Sequence, residues 1–157
     1  MIWVILLLNT TTGLAKAPSF AAFDLDGEEV ILDSLKEKDL IILDFWAVSC
    51  IPCVRQLEKA IELVEKYKDR LWYIAINEDP PMFQKRAKNF AKAKGFEFIV
   101  ILDEDGGIME EYGVTSLPTT FFLDDSIRII EVHQGFKVGD REWFEEVVEK
   151  YLGVKEE

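Results

Sequence analysis

The two cysteines of this 157-residue chain stand three positions apart, in the stretch Trp46-Ala47-Val48-Ser49-Cys50-Ile51-Pro52-Cys53. Two thiols at that spacing can exchange a disulfide with another molecule, supply half of a metal site, or form an inert bridge. Their surroundings bear on the choice. The pair follows Leu40-Ile41-Ile42-Leu43-Asp44-Phe45-Trp46, a nearly continuous apolar run that reads as a strand buried on both faces. A helical pattern comes next, so the thiols fall where a buried strand gives way to a helix. There they meet unpaired backbone N–H groups and the positive end of the helix dipole, and both favour thiolate. Cys50, at the mouth of the turn, is the better placed nucleophile. Cys53, one turn into the helix, is close enough to attack a mixed disulfide formed on Cys50. Pro52 suits a first helical turn, where its missing N–H costs nothing. Asp44 is an acid within the apolar strand, where burial should raise its pKa toward neutrality and let it accept the proton of Cys53. The competing reading is a strand-end carboxylate that faces solvent.

The elements that must hold these residues follow from periodicity. Residues 23–32, with a turn at Asp26-Gly27, read as two short paired strands. After Cys53, the recurrence of Val54, Leu57, Ile61 and Val64 predicts an amphipathic helix with those residues inward. Residues 71–76 form the next buried strand. Asp79-Pro80-Pro81 is expected to cap and start a helix ending near Gly95, with Lys85, Arg86, Lys88, Lys92 and Lys94 along a solvated face. A strand at 98–102, a turn at 105–107 and a short helix to Tyr112 follow. Two antiparallel strands and a final helix capped by Asp140, burying Phe144, Val147, Val148 and Tyr151, complete the chain. Leu117-Pro118 directly precedes a strand, so Pro118 is either an ordinary strand-start residue or a cis bond shaping a special loop. Strands alternating with helices, then a closing hairpin and helix, predict an α/β fold with helices on both faces of the sheet.

Composition narrows the class. The chain is 49% hydrophobic and 31% charged, as in a globular domain. Its net charge of −12 repels phosphate backbones and argues against a nucleic-acid partner. Residues 2–8 form an apolar run too short to cross a bilayer, which takes about 20 residues. With Thr residues after it and Ala15-Lys16-Ala17 at its end, this segment reads as a secretory signal or N-terminal anchor over residues 1–16. No Lys or Arg precedes the run. Residues 17–157 are then expected to form one domain working outside the cytoplasm, a cytoplasmic location being the alternative.

Trp46-Ala47, the Cys50-Ile51-Pro52-Cys53 motif and the distant Leu117-Pro118-Thr119-Thr120 before a strand together resemble the thioredoxin-fold thiol–disulfide oxidoreductases. The chain is most similar to their TlpA/ResA-like branch, over about residues 17–152. The resemblance implies a thioredoxin-like fold: a central mixed sheet, an N-terminal hairpin, and an extra helix and strand over residues 78–98. It implies that Cys50 attacks and Cys53 resolves. It makes Pro118 a cis-proline beside the disulfide, with Leu117 offering backbone hydrogen bonds to a bound partner. Trp46 becomes the aromatic packed beside the site, and Asp44 the buried acid, a position where this branch often has Asn. Ser49 replaces the usual aromatic before the first cysteine. Gln56 stands where cytochrome-maturation members carry a glutamate, so specialisation for apocytochrome c is not implied. Ile51 adds no charge beside Cys50, which fits a reducing couple nearer about −270 mV than about −120 mV. No cofactor is needed beyond the Cys50–Cys53 disulfide. Partners would be protein thiols and disulfides, with a thiol protein or membrane reductase as electron donor and the domain acting as a monomer.

Four other chemistries compete. Zinc needs four protein ligands in a structural site or three in a catalytic one, and this chain offers only two cysteines and one histidine, His133, within a strand-like run. Copper carriage of the Sco type would use both cysteines and His133, 80 positions after Cys53, but that family spaces its cysteines one residue wider. A peroxiredoxin-like peroxidase needs Thr or Ser three residues before its cysteine, where Ala47 stands. A non-catalytic binding module with an inert Cys50–Cys53 bridge closes too small a loop to gain much stability.

Overall fold

The structure is a computed structural model that describes residues 14–153 except 138. The apolar run at residues 2–8, and the export signal read from it, lie outside the described residues. Among the described residues no helix is long and apolar enough to cross a membrane.

A two-stranded hairpin, β1 (Ala21–Phe23) and β2 (Glu29–Ile31), precedes the main sheet. Its turn is held by the Asp24 carboxylate, which accepts from the N–H groups of Asp26 and Glu28, both at 2.9 Å. Gly27, at φ +85°, takes the left-handed position that this turn requires. The main sheet contains β3 (Leu40–Trp46), β4 (Leu71–Asn77), β5 (Ile99–Leu102), β6 (Thr119–Asp124) and β7 (Ile129–Gln134). Its order is β5-β4-β3-β6-β7, with β3, β4 and β5 parallel and β6 and β7 antiparallel to their neighbours. This is the mixed sheet expected from the sequence, and β3 lies at its centre with all seven residues buried.

Alternation along β3 divides the core in two. Leu40, Ile42 and Trp46 face a layer formed by α1 (Ile51–Tyr67), α2 (Gln84–Lys94) and α4 (Asp140–Leu152). Ile41, Leu43 and Phe45 face the hairpin and α3 (Gly107–Glu111). Helices thus cover both faces. Asp44 shares parity with Leu40, Ile42 and Trp46, and so points toward the α1 layer.

Three local expectations change. The buried face of α1 is Cys53, Gln56, Leu57, Lys59, Ala60, Leu63 and Tyr67, while Val54, Ile61 and Val64 are half-buried at its flanks. The apolar pattern misled because a polar residue, Gln56, occupies the inner face. Asp79 does not cap α2: a 3₁₀ turn (Pro81–Phe83) intervenes, Phe83 takes the N-cap, and the Asp79 carboxylate is used elsewhere. Gly139, not Asp140, is the N-cap of α4, because Asp140 is the first helical residue and its carboxylate accepts from the Lys137 N–H. That helix buries Phe144, Val147 and Val148 as expected, with Leu152 fully inside and Tyr151 half-buried.

Candidate active site

The main chain leaves β3 at Trp46 and enters α1 at Ile51, with Cys50 as its N-cap. Cys50 and Cys53 are joined in a disulfide, Cα to Cα 5.2 Å. The Cys53 N–H points at the Cys50 sulfur from 3.3 Å, which places an orphan helix-start donor on that atom. Cys50 is half-buried at the surface, Cys53 is fully buried, and Ile51 between them is 68% exposed. One sulfur therefore faces solvent and the other faces the core.

Leu117-Pro118 is cis. Thr119 pairs with Phe45, so the buried Pro118 comes level with Trp46 where the cysteine loop begins. Cys50 and Leu117 both pack on the rim of the cluster that holds Cys53 and Trp46. Trp46 is wholly buried against the rings of Phe90 and Phe96, at 5.9 and 6.4 Å. The structure thus gathers Trp46, Cys50, Cys53, Leu117 and Pro118 at the C-terminal end of the central strand β3.

Asp44 lies beneath α1 and is completely inaccessible. Gln56, one turn beyond Cys53, donates its amide N–H to Asp44 Oδ1 at 2.7 Å and to Thr120 Oγ1 at 2.7 Å. The Thr120 hydroxyl is 3.3 Å from the same carboxylate oxygen. Tyr73, from β4, donates its hydroxyl to Asp44 Oδ2. Burial pushes the Asp44 pKa up to about 7, and the hydrogen bonds from Tyr73, Gln56 and Thr120 hold it from rising further. The solvent-facing alternative for Asp44 is excluded by this burial.

The sequence singles out Gln56 only for its place relative to a glutamate of cytochrome-maturation members, not as a partner of Asp44. Three further contributors escaped the sequence reading. Thr120 carried a detectable signal, being a polar residue near Pro118, whereas Tyr73 looked like one more aromatic in a buried strand. The third is Asp79, buried, which accepts from the Val48 N–H at 2.8 Å and from Asn77 Nδ2 at 2.7 Å. It ties the end of β4 to the loop that carries Cys50. Beside it the carboxyl of Glu78 is pushed up to about 8 by burial and by the nearby charge of Asp103.

The competing chemistries find little here. His133 sits on β7, two strands from Asp44 through the pairs Asp44–Thr120 and Thr120–His133, roughly 10 Å across the sheet. Its Nε2 lies 3.0 Å from an Asp140 carboxylate oxygen and its ring packs 4.2 Å from that of Trp143. It is therefore a packed structural side chain rather than a ligand waiting beside the cysteines. Ala47, buried three residues before Cys50, offers no hydroxyl to a peroxide.

Comparison with known proteins agrees with this geometry. The chain matches the AhpC/TSA family over residues 14–132. It is 34% identical over 138 residues to the thiol-disulfide oxidoreductase ResA of Bacillus thuringiensis subsp. konkukian, covering 87% of this chain and 75% of that protein. It is 33% identical over 121 residues to the thioredoxin-like protein YneN of Bacillus subtilis, covering 76% and 70%. Among solved structures, the thiol:disulfide interchange protein DsbE from Chlorobium tepidum superposes with a TM-score of 0.80 at 32% identity, over 88% of this chain and 96% of that one. On sequence, fold and the placement of its cysteine pair, this chain belongs to the ResA-like thiol–disulfide oxidoreductases of the AhpC/TSA family.

Proposed function

We propose that the domain reduces disulfides in other proteins, with Cys50 as the attacking and Cys53 as the resolving cysteine. The observation that carries this reading is the asymmetry of the pair: an accessible sulfur at a helix N-terminus and a buried one a turn behind it, beside the cis Leu117-Pro118 loop.

In the reduced protein, Cys50 thiolate attacks one sulfur of the substrate disulfide. A Cys50–substrate bond forms, the substrate S–S bond breaks, and the departing sulfur leaves as a thiolate that takes a proton from water. The backbone N–H and carbonyl of Leu117, which enter no hydrogen bond among the described residues, are available to the bound segment. Cys53 then gives its proton to Asp44 and attacks Cys50. The Cys50–Cys53 bond forms, the mixed disulfide breaks, and the second substrate sulfur departs. Two electrons have passed from the dithiol to the substrate. Asp44 then gives up its proton, and Gln56, whose amide donates to Asp44, also lines a cleft with Arg55, Lys59 and Asp140.

A reducing direction fits the lack of any acidic or basic residue in the first turn of α1, which leaves the Cys50 thiolate without a charged partner there. The dithiol carries the electrons itself and no further cofactor takes part. An external thiol protein or membrane reductase restores it, outside the cytoplasm. The domain works as a monomer.

The test is trapping. Cys53→Ser should accumulate mixed disulfides on Cys50 when mixed with oxidised protein substrate, seen as dithiothreitol-sensitive mass adducts, and Cys50→Ser should give none. Adducts on Cys53 instead would reverse the two roles.

A further inference from the structure

Among the described residues Asp44 is bonded by neutral donors only. Gln56 reaches it from α1, Thr120 from β6 and Tyr73 from β4, while Phe144 of α4 closes the far side of the Tyr73 ring at 6.4 Å. Lys59 of α1 is taken by Glu62 and Glu145, Arg55 of α1 is exposed, and His133 of β7 is held by Asp140. No cation bonds the Asp44 carboxylate among the described residues, so its charge rests on hydrogen bonds.

Among the described residues Tyr73 makes the one bond to Oδ2, and the register explains how. Asp44 lies opposite Ala75 and Tyr73 lies opposite Ile42. Small Ala75 leaves room beside the carboxylate, and the Tyr73 side chain reaches diagonally into it from two residues upstream on the same face. Its ring is fixed between Phe98, at 4.9 Å, and Phe144. Tyr73 is 2% exposed, and burial, reinforced by the charge of Asp44, keeps its hydroxyl protonated far above ordinary working pH. Facing a carboxylate, it donates throughout the working pH range.

We propose that Tyr73 is a positioning residue for the exchange reaction: its hydroxyl orients the Asp44 carboxylate toward the α1 layer that carries Cys53 and sets the pH at which that carboxylate becomes available as a base. The inference rests on Asp44 being the proton acceptor of Cys53. A donor on Oδ2 favours the charged form, so removing it must make Asp44 hold its proton to higher pH.

The experiment is a single-turnover measurement from pH 5.5 to 9.5, using the full chain pre-reduced and a self-quenched disulfide peptide whose cleavage releases fluorescence. Four proteins are compared: wild type, Tyr73→Phe, Asp44→Asn and the double variant. Tyr73→Phe removes one oxygen atom and keeps the ring packing, and its melting curve is recorded alongside. In Tyr73→Phe the acid-side midpoint, expected near 7 in wild type, should move up by about one pH unit. The rate at pH 7 should fall about fivefold and recover by pH 9.5, as the titration of a single base requires. Asp44→Asn should lose that midpoint, and adding Tyr73→Phe to it should change nothing more. If Asp44→Asn loses the midpoint while Tyr73→Phe leaves it in place, or lowers the rate equally at every pH, the Tyr73 proposal is overturned and the Asp44 reading stands. If Asp44→Asn keeps the midpoint, the Asp44 reading itself fails and takes the proposal with it.

Discussion

Replacing Asp44 by Asn should make the protein more stable, and only above acidic pH. The carboxyl is wholly buried, and its pKa rises from the ordinary 3.8 to about 7, chiefly through burial. Between those values the folded protein keeps a proton that the unfolded chain has released. The folded state then binds more protons than the unfolded one, so stability falls as pH rises through this window. The window spans about 3 pH units at about 1.36 kcal/mol each, which gives a cost of about 4 kcal/mol once pH exceeds 7. Asn removes the titration and keeps the shape. Its carbonyl oxygen can accept from Gln56 as Oδ1 does now, and its amide can donate to the Tyr73 hydroxyl, which turns to accept. For a chain of this length, about 4 kcal/mol corresponds to a rise of roughly 10 °C in Tm. The assay is thermal and urea unfolding of both oxidised proteins between pH 4 and 8.5. The two should nearly coincide at pH 4 and diverge steadily to pH 7. A difference that does not vary with pH, or an Asn variant that is less stable at pH 8, would refute the account of Asp44 as a buried, unneutralised acid.

Asp79→Ala strips the acceptor from the Val48 N–H and from Asn77 Nδ2, two donors worth about 1–3 kcal/mol each when left unpaired. Differential scanning calorimetry should show Tm lowered by roughly 10 °C, and the peptide-cleavage rate should fall as the Cys50 loop loosens; an unchanged Tm would show that this tether does not matter. His133→Ala removes a ring packed on Trp143 and the contact with Asp140, at a cost of about 1 kcal/mol read from urea midpoints. Its exchange rate should stay within about twofold of wild type, since the imidazole stands two strands from Asp44. A large loss of exchange in that variant would return His133 to the site. The Cys53→Ser adduct experiment above separates the attacking from the resolving sulfur, with intact-protein mass as its readout.

What was legible in the chain is what covalent neighbours decide. The seven-residue apolar run of β3, the three-residue spacing of Cys50 and Cys53, and the proline at the first helical turn all follow from local order along the sequence. They implied a strand-to-helix turn that carries a dithiol, and the structure places it there. The helix faces were less legible. The apolar stripe of α1 pointed to Val54, Ile61 and Val64, yet the helix is rotated to present Gln56 and Cys53 inward. That rotation satisfies a buried carboxylate, which hydropathy along one helix does not register. Asp79 misled in the same way, as a helix cap by its sequence neighbours and a tether to Val48 by its fold.

The support of Asp44 was decided by tertiary structure alone. Its partners lie 12, 29 and 76 positions away, at Gln56, Tyr73 and Thr120. Whether such residues meet depends on strand register, because a slip of one residue would turn each side chain to the opposite face. Sequence by itself determined which atoms could exchange a disulfide. Only the pairing of β3 with β4 and β6 decided which buried groups hold the acid beneath them, and with it the pH at which it can take a proton.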